Sequence, residues 1–436
     1  MAWGKGLNEE TEFNQFCEKI ATNKTASSSL SVLKSRFGGK WNELKFASKL
    51  CNALKTNNSL EELYCSGLDF TSEDCEELAF ALQQNTHLRK LLFGRTETFS
   101  DTHLEKLFKF TTLGKVEYLD LEKRNLTWQS GKILGEAIGH NQTNLITINI
   151  SFNQLGDQGL HHFSKCFSKF TKVKVLILRN NDISLDGIKS LVNEVKKYDN
   201  ICFERLDLSE NPGLGPLGIA ALATVSADEL LLDHCRGGDA GCTALLLGKP
   251  RKLLSLSDND LTSRGALKIA ELAFLCPNIK DHIHSLRLSK NINIGNEGVV
   301  AISNILESRR IFFPEANSIE VLDISQVSAT RLPNQLLTGI ITSLIFSGNG
   351  PLNHVELTEC LSSSQNSTLT SLALSGTGIK NISAVFEALH HHPALTTVEF
   401  GGIRLTAADR QSLAILKEQN PKLDVAVDRG EHESEN

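Results

Sequence analysis

The sequence predicts an α/β solenoid: about 13 stacked strand–turn–helix units, with parallel strands on the concave face and helices on the convex face. Three observations carry this. An apolar-x-x-apolar-x-apolar phrase opens at Leu60, Leu88, Val116, Leu145, Val173, Phe203, Ala227, Arg251, Ile283, Ile319, Ile341, Leu369 and Leu395, and six of the twelve intervals are 28–30 residues. The phrase usually closes on x-x-Asn/Cys-x-Leu, as in Val173-x-x-Leu176-x-Leu178-x-x-Asn181-x-Ile183. A stretch with apolar residues at helical spacing then follows, as over 185–195.

Each element has its own warrant. Within Val173–Leu178 the apolar residues alternate at period 2, which predicts a short strand with one buried face. Asn181 stands where the chain leaves that strand, and its side chain can satisfy main-chain groups that the turn leaves unpaired, so stacked copies form a ladder. The entry to the helix recurs as Gly156-Asp157-Gln158-Gly159-Leu160 and Gly295-Asn296-Glu297-Gly298-Val299. Helical periodicity places the next apolar stripe against the sheet. The helical layer is the wider one, so the stack is expected to bend into a horseshoe.

Exposed solenoid ends need caps. Residues 1–59 are expected to form a helical N-terminal cap, with helical stretches around 11–20 and 41–55 and a degenerate zeroth repeat at Leu30-x-x-Leu33. Repeats fill 60–422, a capping strand covers 423–427, and the polar tail 428–436 is expected to be disordered.

Composition narrows the function classes. A net charge of −6 gives no attraction to phosphates, and three Trp and three Tyr supply few stacking platforms, so nucleic acid is not an expected partner. No apolar run reaches 18 residues, and residues 1–11 hold no apolar signal region. Ten cysteines without a C-x-x-C pair argue against a zinc site or disulfide framework and for reduced thiols in the cytoplasm. Gly213-Leu214-Gly215-Pro216-Leu217-Gly218 matches a dinucleotide fingerprint, but it lies in an ordinary strand-to-helix loop of the repeat. His390-His391-His392 lacks companion ligands at metal-binding spacing. The expectation is a monomer without enzymatic activity, cofactor or metal.

A solenoid of this kind works by display. Residues flanking the two buried leucines of each strand point out of the concave face. Among them Asp120, Glu122, Asp207, Glu229, Asp233 and Asp258 give an acidic bias, relieved by Arg179, Arg205 and Arg287 and by Ile177 and Leu231. Such a face favours a protein partner with a basic surface. The interval from Ile283 to Ile319 is 36 residues, and its surplus holds Arg309, Arg310, Phe312 and Phe313, which form either a projecting loop of two cations beside two aromatics or the end of a longer outer helix with Phe312 and Phe313 packed beneath it.

The period near 28, the Asn/Cys position and the outer helix resemble the ribonuclease-inhibitor type of leucine-rich repeat, also found in NOD-like receptors and the Ran GTPase-activating protein. The resemblance covers roughly residues 60–420 and implies a protein–protein interaction module. Two narrower likenesses accompany it. Phe93-Gly94-Arg95-Thr96-Glu97 is similar to the loop around the essential arginine of Ran GTPase-activating proteins, which implies Arg95 as a GTPase-contacting residue in an alternative reading. The irregular repeats and the tail carrying Glu431, Glu433 and Glu435 resemble translocated effectors of intracellular bacteria such as Legionella, which implies action in a host cytosol.

Overall fold

The computed structural model describes residues 9–25, 27–33, 41–66, 68–93, 98–109, 113–139, 144–167, 172–198, 201–249, 251–275, 283–313, 318–363, 368–390 and 392–427. They fall into two compact units, one of residues 1–214 with 224–227 and one of 215–223 with 228–436. Arg95 and the tail 428–436 lie outside the described residues.

In the first unit the chain alternates strictly between helix and strand. The order is α1 (Glu9–Ala21), β1 (Ser29–Leu33), α2 (Phe46–Thr56), β2 (Glu62–Ser66), α3 (Ser72–Gln84), β3 (Lys90–Leu92), α4 (Asp101–Leu107), β4 (Tyr118–Asp120), α5 (Trp128–Gly139), β5 (Thr147–Asn149), α6 (Gly156–Ser164), β6 (Val175–Ile177), α7 (Leu185–Val195) and β7 (Cys202–Asp207). Every strand pairs in parallel with the next, and register follows the repeat. Leu63, Leu91, Leu119, Ile148, Leu176 and Leu206 stand opposite one another in turn, and all six are fully buried. Each such side chain contributes about 1.5–3 kcal/mol on burial, and a slip of one residue would turn the whole row outward.

The second unit repeats the plan, with α8 (Gly215–Ala221), β8 (Ser226–Leu231, in this unit from Asp228 onward), α9 (Gly238–Leu245), β9 (Leu253–Ser255), α10 (Ser263–Ala270), β10 (Ser285–Arg287), α11 (Gly295–Phe312) and β11 (Ile319–Asp323). Strands β12 (Ile341–Ile345), β13 (Ser371–Ala373), β14 (Thr397–Glu399) and β15 (Asp424–Ala426) complete it, separated by further helices. Its buried row runs Leu230, Leu254, Leu286, Leu322, Leu344, Leu372, Val398 and Val425.

The exits from the strands are held by the asparagine ladder. Asn211 is fully buried. Its Oδ1 accepts from the backbone N–H groups of Asn181 and Ile183, both at 3.0 Å, while its Nδ2 donates to the carbonyls of Leu208 (2.8 Å) and Leu178 (3.1 Å). Asn291 serves Asn259 and Leu261 in the same way in the second unit, and Asn349 serves Val327 and Ala329. Buried main-chain groups need such partners. In the first unit the slot before Asn153 is filled by Arg124. Its guanidinium is fully buried, lies 5.7 Å from the Phe93 ring and 5.2 Å from the Phe99 ring, and has no hydrogen-bond partner among the described residues.

Helix starts are laced together by acidic residues. Asp239 accepts from the Thr262 backbone N–H at 2.9 Å and its hydroxyl at 2.6 Å, so one repeat holds in place the N-cap residue of the next repeat's helix, whose own side chain accepts from the Gly265 N–H. That approach leaves no room for a side chain at Gly265, where a Cβ would stand 1.9 Å from Asp239 Oδ1. The glycine four residues after the ladder-closing Leu or Ile is therefore a packing requirement.

The long interval after Ile283 is taken up by a longer outer helix and not by a projecting loop, although Phe312 does not pack beneath it. No loop presents Arg309, Arg310 and Phe312 together, because α11 continues as an 18-residue helix through Phe312. Arg309 falls on the same helical row as the buried Val299, Ile302 and Leu306, so it is 2% exposed and donates to the Phe274 carbonyl at 3.1 Å. Arg310 is exposed and paired with Glu307 at 2.6 Å. Phe312 is 71% exposed and Phe313 half-buried.

Candidate functional site

On the open face of the first unit, register sets the residues in two rows. The leading row runs Glu62, Lys90, Tyr118, Thr147, Val175, Arg205, and the central row runs Tyr64, Leu92, Asp120, Asn149, Ile177, Asp207. Two of the chain's three tyrosines therefore lie within one strand of Leu92. All three side chains are half-buried. Lys90 Nζ reaches Glu62 at 2.5 Å, and Tyr64 donates to the same carboxylate at 3.2 Å.

Asp120 sits beside this apolar–aromatic group. Its Oδ1 accepts from the Glu122 N–H at 2.9 Å and its Oδ2 from Asn149 Nδ2 at 3.2 Å, both neutral donors, and burial pushes its carboxyl above the usual range. It is in no ion pair among the described residues. Burial and the neighbouring Asp120 also raise the Tyr118 phenol. Glu122 is half-buried, 4.0 Å from Lys123 Nζ. Asp207 is nearly closed off at 8% exposed and accepts from the Ser209 N–H at 2.9 Å. Ile177 is half-buried beside it, and Arg205 is exposed in the leading row.

A third column follows the second buried residue of each strand by two positions. It holds Lys123, Phe152, Asn180 and Glu210, all left-handed with φ of 55°, 57°, 50° and 57°. The Phe152 ring lies between two cations, with Lys123 Nζ at 4.4 Å and the Arg179 guanidinium at 5.8 Å from its centroid. Arg179 is ion-paired with Glu210. Sequence reasoning found Arg179 but missed Tyr118, Lys123 and Phe152. The signal for the last two was a bulky residue in a turn slot that favours glycine.

In the second unit the sites are smaller and more self-satisfied. Asp233 Oδ1 accepts from Ser255 Oγ at 2.5 Å and from the Ser257 N–H at 2.9 Å. Asp258 meets His234 Nδ1 at 2.7 Å, both side chains being about half exposed. Glu229 and Leu231 stand opposite Leu253 and Ser255, and Arg287 lies between Ser255 and Asp323. Among the described residues no three His, Cys, Asp or Glu side chains converge to hold a metal, and no helix is long and apolar enough to cross a membrane.

Comparison with known proteins matches a Leucine Rich repeat family model at residues 141–161, 171–192, 199–223, 252–270 and 281–303. A curated relative, the Tonsoku-like protein of Danio rerio, is 26% identical over 259 residues, which is 50% of this chain and 18% of that protein. The chain thus spans less than a fifth of that relative's length. Among solved structures, the yeast Rad7–Elc1 complex is similar over 90% of this chain and 87% of that chain, with a TM-score of 0.42 and 13% identity. The TLR13–ssRNA13 complex is similar over 81% of this chain and 54% of that chain, with a TM-score of 0.42 and 15% identity. The matched segments coincide with the strand–turn–helix phrase, its buried leucine row and its asparagine ladder, and on these grounds the fold is an α/β solenoid of leucine-rich repeats.

Proposed function

We propose that the chain is a non-enzymatic protein-interaction module, and that the open sheet face of its first unit takes a partner protein through a basic side chain set beside an apolar anchor. The observation that carries this is the grouping of Tyr64, Leu92 and Tyr118 around Asp120, a carboxylate held only by neutral donors. Tyrosine is enriched at binding hot spots, and a carboxylate with no cation in direct contact, only the more distant charge of Arg124, favours a partner that supplies one. Phe152 between Lys123 and Arg179 extends the face with a second aromatic. Cys17, Cys51, Cys65, Cys75, Cys202 and Cys242 are free thiols, which supports work in a reducing compartment.

The test is affinity capture from lysate with wild-type protein, Tyr118→Ala and Asp120→Lys, using Asp186→Lys on α7 as a charge control. A protein lost with both face variants but kept by the control would then be purified and titrated. Its Kd is expected to rise about tenfold or more on either face change. An identical capture profile for all four proteins would refute the proposal.

A further inference from the structure

We propose a second binding site, on the helix layer of the first unit: the cavity between α2 and α3 takes a lysine or arginine side chain of a partner protein. This site is separate from the sheet face and does not depend on it.

The cavity has a volume of about 540 Å³, within the range of small-ligand sites. Its α3 wall presents Glu73, Glu76, Glu77 and Phe80, which the helical spacing i, i+3, i+4, i+7 places on one face. Its α2 wall presents Asn52 and Lys55. Glu76 is committed elsewhere, held by Lys106 at 3.0 Å and by Lys109. Glu73 and Glu77 are in no ion pair among the described residues. Phe80 is 44% exposed, so its ring face is open to a ligand.

What identifies the ligand is the group already seated there. Lys55 Nζ stands 5.2 Å from the Phe80 ring centre, tethered by Asn52 Oδ1 at 2.7 Å. The ring face thus holds a cation from its own chain, next to two carboxylates in no ion pair among the described residues. Of these, Glu73 accepts from the Ser72 hydroxyl at 3.0 Å and feels the charge of Lys106, while Glu77 has no described cation against it. An incoming guanidinium or ammonium would share or replace Lys55 on the ring and meet Glu73 and Glu77. Cation–π and ionic terms act together at such a position.

The probe is a fluorescein-labelled alanine-based helical peptide with arginine at every fourth position, and its glutamine counterpart, read by fluorescence anisotropy. Saturable binding of the arginine peptide alone is expected. Phe80→Ala and Glu77→Gln should each weaken it about threefold, and Lys55→Ala should tighten it about threefold by emptying the ring. Lys189→Ala on α7 makes the same change in net charge and should leave affinity nearly unmoved. Equal binding of the glutamine peptide overturns the proposal. So does a Lys189→Ala effect as large as that of Lys55→Ala, which would reduce the binding to general attraction by an acidic protein. Unchanged affinity in Phe80→Ala and Glu77→Gln would also overturn it.

Discussion

Replacing Arg124 with methionine should make the protein more stable. The guanidinium occupies a ladder slot where the next repeats use Asn153 and Asn181, and burial brings its pKa down to about 10. A depression of that size corresponds to about 3 kcal/mol against the charged form in the folded state. The Phe93 and Phe99 rings return part of this, about 1–2 kcal/mol for a desolvated cation over aromatics. Methionine keeps a long flexible side chain against both rings and removes the charge. Arg124→Met is therefore expected to raise the free energy of unfolding by about 1–2 kcal/mol, in the direction seen when buried charges give way to apolar residues of similar size. The sign with pH is definite. Below pH 10 the arginine is charged in both the folded and unfolded states, so its cost is constant through the neutral range. Above pH 10 the folded state sheds the proton first, the cost is relieved, and the advantage of methionine shrinks. Urea unfolding followed by circular dichroism at pH 7 and about pH 11, above the folded-state value, measures both points. A variant less stable than wild type by more than about 1 kcal/mol would refute the reasoning.

The ladder itself gives the opposite sign. Asn211→Ala strands the N–H groups of Asn181 and Ile183 in the interior and should cost about 2–4 kcal/mol in the same urea assay, and a loss under about 1 kcal/mol would contradict the assignment. Cysteine reactivity should divide by burial. Cys17 and Cys65 have thiols raised to about 12 by burial, whereas Cys202 is exposed. Iodoacetamide at pH 8 should label Cys202 in the native protein and the other two only on unfolding, as read by peptide mass spectrometry. Equal rates at all three would contradict it.

Much of the fold was legible because the repeat writes its buried row directly into sequence. Leu63, Leu91 and Leu119 recur at the repeat period, and period 2 within each strand identifies which residues face in. The asparagine ladder was legible for the same reason. The site was less so. A carboxylate in the central row reads identically whether it faces a partner or binds its own turn, and Asp207 and Asp233 turn out to satisfy backbone N–H groups two residues on or in the next strand. Arg309 and Arg124 were opaque because a charged residue on an apolar row looks exposed until the row's direction is known. The cation–ring contacts at Phe152 join three successive repeats, and contacts between side chains of different repeats do not show in a linear reading.

The left-handed column has a consequence for how such a chain diversifies. Every non-glycine residue there carries a backbone penalty of about 1 kcal/mol that glycine avoids. The last strands of the second unit accept the cheaper solution with Gly348, Gly376 and Gly402, while Lys123, Phe152, Asn180 and Glu210 keep side chains. The backbone trace is the same in either case. Recognition at that rim can therefore be rewritten one repeat at a time, with stability gained wherever a contact is surrendered and the leucine rows left untouched.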